Sequence, residues 1–143
     1  MTTPLASRNH DFICCCRRRS AALQAAGIIP DLDTVITDVL AAEAPSYYID
    51  YEYACRLIRD IELHGLDATD TDTDPCDRAR LLDLWRDYSI LRARRPADDY
   101  RDIVTDLIDG DDSHPRFYLT RRRARFILRT ENHRLRQNLK PKP

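Results

Sequence analysis

Cys14-Cys15-Cys16, with His10 one helical turn before Cys14, are the first residues along the chain whose types could hold a metal or supply a nucleophile. Structural zinc takes four N or S ligands, and three consecutive helical side chains point about 100° apart, so these thiols cannot converge on one ion. Cys55, Cys76 and His64 lie far along the chain, and no spacing sets a cysteine beside His64, His114 or His133 as the base that nucleophilic catalysis needs. The cysteines therefore read as small core hydrophobes, and no metal is expected. Asp70, Asp72 and Asp74 have the alternating spacing that opens a calcium loop. Pro75 then stands where that loop requires glycine, and Leu81 where it requires a bidentate glutamate. Asp98, Asp99 and Asp102 fall at the start of a helix, where acids meet the macrodipole favourably. Gly27, Gly65 and Gly110 are isolated, so there is no phosphate loop, and neither G-x-S-x-G nor H-E-x-x-H occurs. The expectation is a protein that is not an enzyme and carries no cofactor.

The chemistry that does stand out is cationic. Between Arg116 and Pro143 there are ten basic residues and one acid, Glu131, a charge of +9 against −10 on residues 1–115. Arg121-Arg122-Arg123, followed by Arg125, Arg129, Arg134 and Arg136, puts a basic face on the last helix, opposite Ala124, Ile127, Leu128 and Leu135. Such a face can grip phosphates through Arg121, Arg122, Arg125, Arg129 and Arg136, with Asn132 and His133 reaching base edges or bridging waters. Nucleic-acid binding is the sharper expectation. The alternative is a protein-interaction or assembly role, in which Tyr47, Tyr48, Phe117 and Tyr118 form an exposed aromatic surface and the basic helix pairs an acidic one. Opposite-sign halves also favour self-association into a homo-oligomer.

These residues need positioning by elements that the spacing of apolar residues predicts to be all-α. Leu32, Val35, Ile36, Val39 and Leu40 repeat at helical intervals, and so do Tyr100, Ile103, Val104, Leu107 and Ile108. Thr37-Asp38 and Thr105-Asp106 fall at equivalent places, 68 residues apart. A second block, Pro45-Ser46-Tyr47-Tyr48-Ile49-Asp50 leading to Ala54, Leu57, Ile58 and Arg59, parallels Pro115-Arg116-Phe117-Tyr118-Leu119-Thr120 leading to Ala124, Ile127, Leu128 and Arg129. The pattern reads as an internal duplication, residues 20–64 against 88–136, each copy being helix, helix, aromatic extended segment, helix.

Local chemistry sets the boundaries. Pro45 and Pro115 end the preceding helices, and Asp50 and Thr120 are good N-caps. Ile49 and Leu119 stand where an apolar side chain can fold back onto the new helix as a hydrophobic staple. Asp74-Pro75 starts another helix, with Leu81, Leu84, Trp85, Tyr88 and Leu91 on one face, stopping near Arg95 before Pro96. Its counterpart spans roughly residues 7–26, with Phe12, Cys15, Cys16 and Leu23 inward. This gives about six helices as two three-helix halves within one domain, an acidic linker at 65–76, a frayed basic tail at 138–143, and two aromatic segments able to pair as very short strands.

The pattern P-x-[FY]-Y-[IL]-[DT]-x-x-x-A, present twice and each time preceded by an amphipathic helix, resembles a set of small bacterial all-helical proteins of unknown function. The similarity covers Leu23 to Arg129 and implies the same helical architecture, with an association with mobile genetic elements. Tyr118 through Leu128 also resembles the opening helix of excisionase-like helix-turn-helix proteins, which implies DNA contact. That likeness stops at Arg129-Thr130-Glu131-Asn132, a poor turn without glycine. In 143 residues, 43% hydrophobic and 33% charged, no apolar run approaches eighteen and the N-terminus lacks the layout of a signal peptide. A cytoplasmic protein without membrane contact is the expectation.

Overall fold

The computed structural model describes residues 3–67, 74–109 and 113–139, with side chains to Glu131. Among the described residues there are six helices and no strand: α1 (Pro4–Ala25), α2 (Leu32–Ala41), α3 (Tyr51–His64), α4 (Pro75–Arg94), α5 (Tyr100–Asp109) and α6 (Arg121–Leu139). Asp70, Asp72 and Gly110 lie outside the described residues.

Capping explains the boundaries. Asp50 accepts from the Tyr53 N–H at 3.1 Å, Asp74 from the Cys76 N–H at 2.9 Å, and Thr120 from the Arg123 N–H at 3.1 Å. The expected caps are therefore in place, each satisfying a first-turn donor that has no intrahelical partner. α1 begins three residues earlier than the apolar spacing suggested, because Thr3 caps the Ala6 N–H and Pro4 occupies the first helical position. It ends on Gly27, whose φ of +80° lets the Gly27 and Ile28 N–H groups turn back onto the Gln24 and Leu23 carbonyls.

The helices form two packed units, but not the two contiguous halves expected. Phe12, Cys16 and Leu23 of α1 and Val35, Ile36 and Val39 of α2 share a core with Ala124 and Ile127 of α6. Ala54, Cys55 and Ile58 of α3 instead pack with Leu84, Tyr88 and Leu91 of α4 and with Ile103, Val104 and Leu107 of α5. The first unit thus takes its third helix, α6, from the far end of the chain, while the second is the consecutive run α3, α4 and α5, and the segments before α3 and α6 carry the crossings. Amphipathic stripes specify which face a helix buries without specifying against which neighbour, so this exchange was not readable from periodicity.

Where the segments cross, their aromatic residues interlock. Tyr47 stacks on Tyr118 with ring centroids 6.2 Å apart, Tyr48 stacks on Phe117 at 5.9 Å, and Phe117 meets Phe12 edge to face at 5.3 Å. The strands expected here do not form. One backbone bond, Ala44 N–H to Pro115 O at 2.8 Å, joins the segments. Tyr48 and Tyr118 have φ of +53° and +46°, left-handed values that break an extended ladder and cost about 1–2 kcal/mol each in a non-glycine residue. Ring stacking and a bonded phenol at each tyrosine offset that cost: Tyr48 donates to Asp11 at 2.6 Å and Tyr118 to Asp83 at 2.6 Å.

Candidate nucleic-acid interface

The aromatic residues expected to offer a partner surface belong to the interior. Tyr47 and Phe117 are each 1% exposed, and Tyr48 and Tyr118 are half-buried with their phenols bonded to acids. This corrects the expectation of exposed rings. A crossing between two cores needs large apolar side chains, and these are the ones that fill it. Tyr47 donates to Asp87, an acid 2% exposed that also accepts from the His114 backbone N–H at 2.9 Å and from Arg86 Nε at 3.4 Å. Tyr88 in α4 donates to Glu62 in α3.

Burial first, then the neighbouring carboxylate, pushes the phenols of Tyr47, Tyr48, Tyr88 and Tyr118 above the ordinary tyrosine range. Below pH ~10, the usual phenol value, folded and unfolded chains both keep them neutral and this stabilisation is fully present. Above it the unfolded chain ionises first, so stability falls as pH rises toward the higher folded values. Helicity is expected to hold to about pH 9 and then be lost in one cooperative step accompanied by tyrosinate absorbance. Ordinary titration of all seven tyrosines near pH 10 with helicity intact contradicts this.

The cysteines are all free thiols. Burial raises Cys16 to about 12 and also raises Cys55 and Cys76, which disfavours the thiolate that metal binding and nucleophilic attack both require. Cys14 Sγ does lie 3.7 Å from His10 Nε2, and Cys15 Sγ accepts from Arg18 at 3.5 Å. Among the described residues no three metal-ligating side chains converge. Cys15 and Arg18 border an open hollow of about 800 Å³, floored by Val39, Ala44 and Phe117. Its other charged groups are engaged with one another or with neighbours: Arg19 with Asp38 at 2.9 Å, and Glu43 with His114.

The basic residues are arranged differently. α6 starts at the Thr120 cap and buries Ala124 and Ile127 against α1 and α2, which turns its arginines to the opposite side. Arg121, Arg122 and Arg129 are exposed and, among the described residues, none is paired with a carboxylate. Arg125 is half-buried, with its Nε 3.0 Å from Asp33 in α2. Glu131, the acid of this helix, is turned toward Arg17 of α1 at 3.6 Å. These two ion pairs dock the flanks of α6 and leave the outer face cationic.

The N-terminal end of the helix carries charge of both signs: burial first, then Arg123 and Arg80, lowers the pKa of Arg8, while Asp74 and Asp77 border the same hollow as Arg8 and Arg123 and Asp77 pairs with Arg80 at 3.8 Å. The helix macrodipole favours anions at this end. The side chains of Arg136, Asn132 and His133, expected to continue the face, lie outside the described residues. The backbone of α6 runs through 129–132 without a turn, so the excisionase-like reading helix does not form and α6 presents itself as one long rod.

Two residues escaped the sequence reading. Phe126 is 56% exposed in the middle of the arginine face, with the Arg123 guanidinium 5.1 Å from its ring centre. It lies four residues after Arg122 and three before Arg129, so a helical wheel places it outward. Asp87 stands at the spacing of the apolar stripe Leu84, Tyr88, Leu91, where a charged residue signals a buried partner. Among the described residues no helix is long and apolar enough to cross a membrane. No protein family, curated protein or solved structure matches this chain.

Proposed function

We propose that the chain is a non-enzymatic nucleic-acid-binding module that holds phosphates on the outer face of α6, through Arg121, Arg122 and Arg129. The observation that carries this reading is that, among the described residues, none of the three has an acidic partner, in a chain where 24 acids outnumber 23 bases. A basic segment serving only to neutralise an acidic body would spread its guanidinium groups over that body's carboxylates. Among the described residues, Arg125 alone of the first five arginines of α6 does so, with Asp33. Exposed guanidinium groups on one helix face, beside a helix N-terminus, suit a polyanion whose charges repeat along a line.

Arg125, shared with Asp33, is a secondary contact, and Arg136, Asn132 and His133 extend the face by their spacing along the helix. DNA binding in the cytoplasm is the setting this reading gives the protein. Fluorescence anisotropy with labelled DNA and RNA at low and moderate salt tests it. Micromolar or tighter binding, with log affinity falling against log salt with a slope of several units, is the expected result. No binding even at low salt overturns it and moves the search to protein partners.

A further inference from the structure

We infer that α6 takes single-stranded rather than duplex nucleic acid, with an unpaired base stacked on Phe126 and the neighbouring phosphates held by Arg122, Arg123 and Arg129. This inference rests on the phosphate-binding reading of α6 and gives it a substrate class. Its basis is the placement of one aromatic ring. Single exposed apolar residues are ordinary on protein surfaces, so exposure alone says little. What distinguishes Phe126 is its company: Arg122 and Arg129 are exposed and, among the described residues, without carboxylate partners, and Arg123 lies over the ring. The comparisons within this chain are Tyr53, with the Arg56 guanidinium 5.7 Å from its ring centre, and Tyr100, with those of Arg59 at 5.6 Å and Arg101 at 5.8 Å. Those rings have acids among their arginines in the sequence, Glu52 and Asp60 around Tyr53 and Asp99 and Asp102 around Tyr100, whereas α6 carries no acid from Arg121 to Thr130.

The chemistry of the two candidate substrates differs at this point. In a duplex the base faces are stacked on one another, and a protein meets only their edges in the grooves. An unpaired base exposes its π face, and an aromatic ring set among cations is the platform that single-strand binders use, each base contributing independently of its identity. Arg122 to Arg129 spans about 10 Å of helix, a length over which more than one phosphate of a flexible strand can be reached while a base lies on the ring between them. The core-facing side of α6 is occupied by α1 and α2, and the face that carries Phe126 is open to a strand.

The test compares a labelled oligo-dT single strand, its duplex with oligo-dA, and an abasic strand of the same length, each titrated by anisotropy at fixed salt. The wild-type chain is measured beside Phe126→Ala, Phe126→Tyr and the double variant Arg122→Gln/Arg129→Gln, all with helicity checked by circular dichroism. The single strand is expected to bind more tightly than the duplex. Phe126→Ala is expected to weaken the single strand by about 5- to 100-fold while leaving the duplex and abasic affinities and the salt slope unchanged. Phe126→Tyr, which keeps the ring, retains binding. Equal single-strand affinity in Phe126→Ala and wild type, or a preference for duplex, overturns the stacking inference while leaving phosphate binding intact. Failure of the wild type to bind any of the three at low salt, or indifference to the double arginine variant, overturns the underlying reading instead.

Discussion

Replacing Arg121, Arg122 and Arg129 together by glutamine is expected to lower nucleic-acid affinity by about two orders of magnitude at moderate salt, and to remove two to three units from the salt slope. Each guanidinium on a phosphate releases roughly one condensed counterion, so the number of contacts removed is read from the slope itself. Glutamine keeps length and hydrogen-bonding capacity while deleting charge. Because all three side chains are exposed and outside both cores, the urea midpoint of the variant should match that of the wild type. Arg125→Gln alone should cost less affinity than any of the three, since its charge is already shared with Asp33. An unchanged slope in the triple variant excludes α6 as the phosphate-contacting surface.

The second large effect concerns the fold. Asp87→Ala is expected to destabilise the chain by about 3–5 kcal/mol, seen as a fall in the urea midpoint with little change in m-value. The substitution strands the Tyr47 hydroxyl in the interior, an orphaned donor costing about 1–3 kcal/mol, removes the acceptor of the part-buried His114 backbone N–H, and leaves a cavity. Tyr47→Phe removes one of the four hydrogen bonds that Asp87 accepts and should cost about 1–3 kcal/mol. Because the hydroxyl and the carboxylate act on one another, the double variant Tyr47→Phe/Asp87→Ala should cost less than the sum of the single ones. Additive losses in that cycle show that Tyr47 and Asp87 do not cooperate.

The two effects fall on separate parts of the molecule. Asp87 and the stacked aromatic residues hold the crossing between the two units, and the arginines occupy the outer side of α6, whose inner side belongs to the core shared with α1 and α2. A chain that loses nucleic-acid affinity without losing stability, and another that loses stability first, would separate the roles experimentally.

Much of the local structure was present in the residues themselves. Asp50, Asp74 and Thr120 mark helix starts because an unpaired first-turn N–H needs a nearby oxygen, a demand that acts over three residues and is met by side-chain type alone. The stripes Val35, Ile36, Val39 and Ile103, Val104, Leu107 were legible because burial follows the 3.6-residue period. The cationic face of α6 was legible for the same reason, its arginines falling opposite Ala124 and Ile127. Partner choice has no such local signature. That α3 packs with α4 and α5, and α6 with α1 and α2, depends on interactions between residues dozens of positions apart, which periodicity does not encode.

The same limit explains the tyrosines. Their apolar rings and polar tips suited either a binding surface or a satisfied core. Only the tertiary structure, by placing Asp11, Asp83 and Asp87 within reach of Tyr48, Tyr118 and Tyr47, decided for the core. The sequence by itself determined the helices, their caps, their buried faces and the cationic outer side of α6, all consequences of forces acting within a few residues. The tertiary structure alone decided which helices share a core, which acids satisfy which phenols, and which arginines stay unpaired around Phe126, because those outcomes depend on contacts made across the whole chain.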